Sequence, residues 1–167
     1  LAQGELMSAK LVAALLKRKG LESTFVDSRE IFKTDAVVGN AQIINSVSEK
    51  LTRDRFATIP PNHVAVVTGF IASTEKGDTT TLGRNGSNYS AALLANYLNA
   101  SELQNYTHVD GIFTANPELV PEAKIIRHLS YEEANELANF GASILHAKTI
   151  IPLIEKGIPL RIKNTFN

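Results

Sequence analysis

Cysteine and tryptophan are absent from the 167-residue chain, and methionine occurs once. Without cysteine there is no disulfide and no thiolate metal centre, which fits a reducing, cytoplasmic setting. Neither sign of charge is in excess, since 17 Lys+Arg stand against 17 Asp+Glu. No basic field therefore points to nucleic acid or to an anionic membrane surface. No apolar run approaches the roughly 18 residues of a membrane span, and no signal peptide is visible. Internal repeats, low-complexity tracts and linkers are missing too. What is present is 44% hydrophobic residues, enough for one globular core at this length. The chain opens on Leu1-Ala-Gln-Gly4 and stops at Asn167, just past a predicted strand, so both ends read as cuts in a longer polypeptide.

Leu6, Leu11, Leu15 and Leu16, with Ala9, Val12 and Ala13, give a helical period over residues 5–19, stopped by Gly20. A short strand is predicted at 24–26, irregular chain at 31–40, and an amphipathic helix at 41–55 on Ile43, Ile44, Val47 and Leu51. Pro60-Pro61 breaks the chain before an apolar run, Val64 to Val67, that reads as a buried strand. A small, apolar helix follows at 91–98, then a strand at 102–109 and an extended loop holding Asn116-Pro117 and Val120-Pro121. Ser130-Tyr-Glu-Glu133 is a capping box for a helix to about residue 139. A second helix spans 143–156 with Pro152 inside it, and the last strand is 159–162. The alternation implies an α/β fold with a mainly parallel sheet and helices on both faces. Such a sheet would also suit a dinucleotide-binding domain, but no Gly-x-Gly-x-x-Gly follows any predicted strand, so that reading is weak.

Residues 68–90 hold the chemistry. An apolar strand leads into a polar loop with four glycines and the Thr79-Thr80-Thr81 triplet, and Ser87 is placed as N-cap of the next helix. Strand, glycine-rich turn and helix N-terminus together favour an anion, because free N–H groups and the positive end of the macrodipole meet there. Arg84 adds a guanidinium suited to bidentate contact with a carboxylate or phosphate. The plainer alternative is an ordinary strand-to-helix loop with a surface arginine.

Lys76-Gly-Asp-Thr-Thr-Thr-Leu-Gly-Arg-Asn-Gly-Ser87 resembles the signature loop of aspartokinases, and its Gly-Arg-Asn-Gly-Ser form is most similar to the bifunctional aspartokinase–homoserine dehydrogenases. The resemblance implies a three-layer αβα sandwich, the amino-acid-kinase fold. It also implies transfer of the ATP γ-phosphoryl group to the side-chain carboxylate of L-aspartate, the first step of lysine, threonine and methionine biosynthesis. Arg84 would bind the substrate α-carboxylate, helped by Ser87, with Phe70 beside the amino acid. Arg84 and Asn88 are the catalytic candidates, Asn88 standing where aspartate usually follows Gly-Ser. Gln3-Gly4-Glu5 resembles the end of the family's Ser-x-Gly-Glu motif, which gives Glu5 to the substrate ammonium. Otherwise Glu5 is a dipole partner in a first helical turn.

For the nucleotide, Thr107-His-Val-Asp-Gly-Ile-Phe-Thr-Ala-Asn-Pro-Glu118 resembles the family's Thr-Asp-Val-x-Gly-Ile-Tyr-Thr-x-Asp-Pro-Arg. His108, Phe113, Asn116 and Glu118 depart from it. Ser143, followed by Ile144, stands where the family has lysine. Thr107, His108, Phe113, Glu118, Ser143, Ile144 and Lys163 are the nucleotide candidates for ATP with Mg²⁺. The departures remove cations and anions together, which reads as a rebalanced site in a subgroup that holds ATP differently. A domain with weak kinase activity is the alternative. No protein metal ligands are assigned: His128 and His146 have no partner at metal-ligand spacing and read as structural.

The family's opening Lys-Phe-Gly-Gly-Thr-Ser does not occur in these residues, nor do the regulatory ACT or dehydrogenase domains. Residues 1–167 are therefore expected to be the latter part of an aspartokinase catalytic domain, whose parent is a cytoplasmic homo-oligomer. The rivals are a non-catalytic kinase-like module for assembly or amino-acid sensing, and a kinase for another amino acid.

Overall fold

A computed structural model describes residues 2–116, 119–139 and 147–167. Helix α1 (Ala2–Arg18) buries Leu6, Ala9 and Ala13 along one narrow stripe. Leu11 and Leu15, expected to belong to that stripe, point outward with Met7, at 70%, 50% and 70% exposure. The helix ends in paired bonds from Gly20 N to Lys17 O and from Leu21 N to Leu16 O, a Schellman stop. Strand β1 (Ser23–Val26) then returns antiparallel to α1. Its register on the helix is set by the Ser23 hydroxyl donating to Ala13 O at 2.7 Å and by Lys10 Nζ lying 5.5 Å from the Phe25 ring centre. The first turn of α1, with Glu5, therefore lies past Val26, at the carboxyl end of the strand.

Residues 35–40 have neither helix nor strand, as expected of the stretch 31–40, but the chain from Ser28 to Thr34 is ordered. It forms a one-turn helix α2 (Ser28–Ile31) and a two-residue strand β2 (Lys33–Thr34), and it places Ile31 and Phe32 among the most buried side chains. Truncating so deeply buried a phenylalanine typically costs about 3–5 kcal/mol. Helix α3 (Asn45–Ala57) follows, then β3 (Val64–Val67), which pairs parallel with β1 from Ser23↔Val64 to Val26↔Val67. Expected to be buried, β3 is not: Val64 is 45% exposed and the other three are half-buried, because β1 is its one strand neighbour among the described residues. The signature segment, expected to be loop, contains two strands. β4 (Ile71–Thr74) is parallel to β2, and β5 (Thr79–Thr81) folds back on it as a hairpin.

Helix α4 (Gly86–Tyr97) is the centre of the packing. Leu93 and Tyr97 join Val26, Ile31, Phe32, Ala72 and Leu82 in one core, while Ala92 and Ala95 join Leu153 and Ile158 in another. A helix with a core on each of two sides must be small and apolar around most of its girth, as its sequence is. Beyond it, β6 (Leu103–Thr107) pairs parallel with β9 (Leu160–Asn164). Between them β7 (Ile112–Phe113) and β8 (Ile125–Ile126) pair antiparallel, within chain expected to be loop.

Helix α5 (Tyr131–Asn139) carries its capping box: Ser130 N donates to Glu133 Oε2 at 2.7 Å, and Glu133 N to Ser130 Oγ at 3.2 Å. Helix α6 (Ala147–Ile154) contains Pro152, which leaves one intrahelical donor missing. The architecture is α/β, with parallel pairing in β1–β3, β2–β4 and β6–β9. Among the described residues the strands form four small sheets rather than one continuous sheet.

Candidate active site

The carboxyl end of β3 runs into a tightly built turn. Thr68, 1% exposed, receives the Ser28 backbone N–H on its hydroxyl at 2.8 Å and contacts the Ser28 hydroxyl at 2.7 Å. The Ser28 hydroxyl also reaches Ile71 O at 2.6 Å, so α2 and the turn are locked together. Between Thr68 and Ile71, Phe70 has φ 68, and Ile71 N donates across it to Gly69 O at 2.7 Å. That bond and that φ define the positive-φ form of the γ-turn, the strained one. The other non-glycine residues at positive φ among the described residues are Asn85 and Asn99, a residue type that tolerates it. For phenylalanine the conformation costs about 1–2 kcal/mol.

The turn faces the start of α4. A Cβ on Gly69 would lie 3.0 Å from Ser87 Cβ, and one on Gly86 would lie 2.7 Å from Phe70 Cδ2. Only residues without side chains let these two segments approach so closely. Ser87 was expected to cap α4, but the cap position belongs to Asn85, at φ 57 and with no side-chain cap bond. Ser87 is instead exposed in the first helical turn, and Asn88 beside it is half-buried. Arg84 is exposed and has no ion-pair or hydrogen-bond partner among the described residues. A guanidinium left unpaired at a helix N-terminus, beside a pinned turn, is arranged to receive an anion.

Glu5 is half-buried in the first turn of α1, at the same carboxyl end of β1 and β3. The structure thus places Glu5, Phe70, Arg84, Ser87 and Asn88 around one end of this part of the fold. Asp27, at that end too, is fixed by Arg29 through a 2.6 Å ion pair and a cap bond from Arg29 N at 3.0 Å. Burial pushes the Asp27 carboxyl up, but the hydrogen bonds and charge of Arg29, with Lys10 behind, outweigh it and hold the group below the usual range.

The nucleotide candidates are a looser set. Thr107 ends β6, and its carbonyl accepts Thr165 N at 2.9 Å. His108 is exposed, with Nδ1 3.3 Å from Thr107 Oγ1. Lys163 lies on β9, its Nζ 5.8 Å from the Tyr106 ring centre. Phe113 is half-buried on β7. Glu118, Ser143, Ile144 and His146 lie outside the described residues. A cavity of about 630 Å³ opens beside this set, lined by Asp110, Ile112, Arg127, His128, Arg161 and Lys163 among others. Phe113 is not in its lining, since neighbouring strand residues face opposite ways. His128, read from the sequence as structural, is exposed on the cavity wall. Arg161 is paired with Glu102 at 2.6 Å. Sequence reasoning passed over Thr68, Ser28 and Ser90, buried hydroxyls that build the turn. A Ser90 four residues after Gly86, at helical spacing, was the one available signal.

The chain matches the model of the amino acid kinase family over residues 1–164. It is 39% identical to bifunctional aspartokinase/homoserine dehydrogenase 2 of Arabidopsis thaliana, over 98% of this chain and 18% of that protein. The bifunctional aspartokinase/homoserine dehydrogenase of Haemophilus influenzae is 41% identical over 99% of this chain and 20% of its own length. The crystal structure of Escherichia coli aspartokinase III in complex with aspartate and ADP superposes with a TM-score of 0.93 at 36% identity. That superposition covers 98% of this chain and 37% of that one, so these residues span well under half of each of these relatives. The parallel strand pairs, the signature segment and these similarities agree, and the chain belongs to the amino acid kinase family.

Proposed function

We propose that the polypeptide containing these residues is an aspartate kinase, transferring the γ-phosphoryl group of ATP to the side-chain carboxylate of L-aspartate. The observation that carries this reading is Arg84, unpaired at the N-terminus of α4 and next to the Gly69–Phe70 turn. Support comes from the E. coli aspartokinase III structure, which holds aspartate and ADP and shares this fold closely.

In this reading the Arg84 guanidinium takes the aspartate α-carboxylate in two parallel bonds, with the Ser87 hydroxyl and the first N–H groups of α4 beside it. Glu5 receives the α-ammonium from the opposite side, and Phe70 closes the apolar flank. Two charges of opposite sign at fixed points leave the side-chain carboxylate one direction to face. Asn88 orients that carboxylate, one oxygen of which attacks the γ-phosphorus as the bond to ADP breaks. The nucleotide lies over Thr107, His108 and Phe113, with Lys163 meeting the phosphates; the nucleotide roles of Glu118, Ser143 and Ile144 rest on the family resemblance alone.

Mg²⁺ in phosphoryl transfer is held largely by the phosphates, with one or two protein carboxylates. Among the described residues no three acidic or histidine side chains gather where they could hold an ion. The ion is assigned to the ATP complex on the phosphate-held pattern, not on that absence. We also propose a cytoplasmic, homo-oligomeric parent, for which these residues are the latter part of the kinase domain.

The test is ADP release by the full-length polypeptide with Mg²⁺, ATP and L-aspartate, against glutamate and acetylglutamate as rival substrates. Aspartate-dependent turnover is expected. Residues 1–167 alone should be silent, because positioning and charge stabilisation carry most of phosphoryl transfer and the family's Lys-Phe-Gly-Gly-Thr-Ser segment does not occur among them. A full-length polypeptide that binds aspartate but never turns over would favour the non-catalytic module and overturn the proposal.

A further inference from the structure

Ser90 has no place in the roles assigned above, yet it touches the one strained residue of the site. It is 2% exposed, its Oγ accepts the Phe70 backbone N–H at 3.0 Å, and its hydroxyl proton goes to Gly86 O at 2.9 Å. On the other side of the turn, Leu82 N donates to Phe70 O at 2.9 Å, and the Phe70 ring lies against Gly86. Phe70 is thus held at its N–H, at its carbonyl and at its ring. The carbonyl bond comes from another backbone group and the ring contact is non-directional. The N–H bond is the one that depends on a single side chain.

We infer that Ser90 is a positioning residue for the amino-acid substrate: its hydroxyl keeps Phe70 in the positive-φ turn and so keeps the Gly69–Phe70 segment against Ser87 and the N-terminus of α4. The inference rests on the aspartate kinase reading. Phenylalanine leaves positive φ once nothing holds it there, because the extended and right-handed regions are lower in energy. Losing the acceptor also leaves the Phe70 N–H without a partner in a half-buried place, which pushes the turn open toward water. The serine hydroxyl bridges the Phe70 N–H of the turn and the Gly86 carbonyl in the first turn of α4, so the fit of the two segments depends on it. Threonine can present the same hydroxyl from the same helical position, whereas alanine cannot.

The experiment compares wild type, Ser90→Ala and Ser90→Thr in the full-length polypeptide. Three quantities are read: the KM for aspartate, the KM for ATP with kcat, and hydrogen exchange at the Phe70 amide. Ser90→Ala should raise the aspartate KM about 10-fold or more, the scale of one lost charge-assisted contact to a displaced substrate. ATP KM and kcat should stay near wild type, exchange at Phe70 should speed up, and Ser90→Thr should restore both aspartate KM and protection. An unchanged aspartate KM in Ser90→Ala, with wild type active, overturns the inference and leaves the kinase reading intact. Equal losses toward aspartate and ATP overturn it as well, since they report general damage. If wild type shows no aspartate-dependent turnover, the kinase reading fails. The inference then stands on the exchange data alone, and unchanged Phe70 protection in Ser90→Ala refutes it.

Discussion

Arg84→Lys separates a substrate role from a structural one with unusual cleanness, because the wild-type side chain has no internal partner among the described residues. It is exposed, so exchanging it should move the stability of the fold by no more than about 0.5 kcal/mol, as at most surface positions. Lysine keeps the charge but replaces a planar two-pronged donor by a single ammonium. If Arg84 clamps the α-carboxylate, the change removes about one charge-assisted hydrogen bond, roughly 1.5–3 kcal/mol. At about 1.4 kcal/mol per factor of ten, aspartate affinity should fall between roughly 10-fold and 150-fold. The assay is initial-rate kinetics of the full-length polypeptide with aspartate and ATP varied in turn, alongside thermal denaturation. Aspartate KM should rise, while ATP KM and the melting temperature hold. Equal rises for both substrates would put Arg84 on the phosphates instead, and an aspartate KM that does not move would refute the clamp.

Gly86→Ala should destabilise the fold by about 1–3 kcal/mol, because a Cβ there meets Phe70 Cδ2 at 2.7 Å and the Phe70 backbone is pinned. Alanine's better helix propensity recovers up to about 1 kcal/mol, so a melting temperature equal to wild type would mean the turn yields freely. Asp27→Asn should cost about 1–3 kcal/mol at neutral pH through the loss of the Arg29 pair. The Asp27 carboxyl is depressed in the native state, so its contribution is complete above about pH 3.9 and disappears as pH falls through the lower native value. Melting curves from pH 7 downward should therefore converge for wild type and Asn, and a gap that persists in acid would contradict the assignment. Glu118→Arg with Ser143→Lys should change ATP affinity only modestly if the nucleotide site is rebalanced. A gain on the order of 100-fold by calorimetry would show that it lacks cations instead.

Where sequence and structure part company, the cause is usually length or a backbone angle. The helix at 5–19 and the Ser130–Glu133 capping box are legible because each repeats or pairs residues at a spacing that only one element satisfies. The strand at 64–67 is legible because a short valine-rich run set off by Pro60-Pro61 has a strand's length, though its exposure was not foreseen. Ile31-Phe32 is not legible, since a one-turn helix and a two-residue strand are too short to show any period, although the segment supplies two of the fully buried large side chains of the first core. The Thr79-Thr80-Thr81 triplet did carry a strand signal, three β-branched residues in a row. The glycines on either side masked it. Leu11 and Leu15 fit the helical period as well as Leu6 does, and only the neighbouring strands decide which stripe is buried. At the candidate site, Arg84 could be named from its chemistry and Glu5 only through the family resemblance, but Asn85 in the left-handed region and Phe70 in a strained turn could not be foreseen either way. Both are properties of the surrounding packing rather than of the residue.

The two halves of the proposed site, an amino-acid side and a nucleotide side, are built on different physical terms, and this accounts for most of the places where the chain departs from the aspartokinase pattern. Around the amino acid the backbone itself is the wall. Gly69 and Gly86 stand where any Cβ would strike Ser87 or Phe70, and Ser90, Thr68 and Ser28 are buried hydroxyls with bonds on both sides. A change at any of these has no space or solvent in which to be absorbed. Around the nucleotide the side chains stand on strand ends and two-residue strands. His108 is exposed, Phe113 is only half-buried, and Arg161 and Lys163 approach the same cavity from β9. Charge there can be moved from one position to another at little cost to folding, because the groups remain within reach of water. Charge can therefore be redistributed along the nucleotide side at little cost to folding, and the departures at 108, 113 and 116 fall there, whereas the departure at Asn88, in the first turn of α4, is one that this difference does not explain.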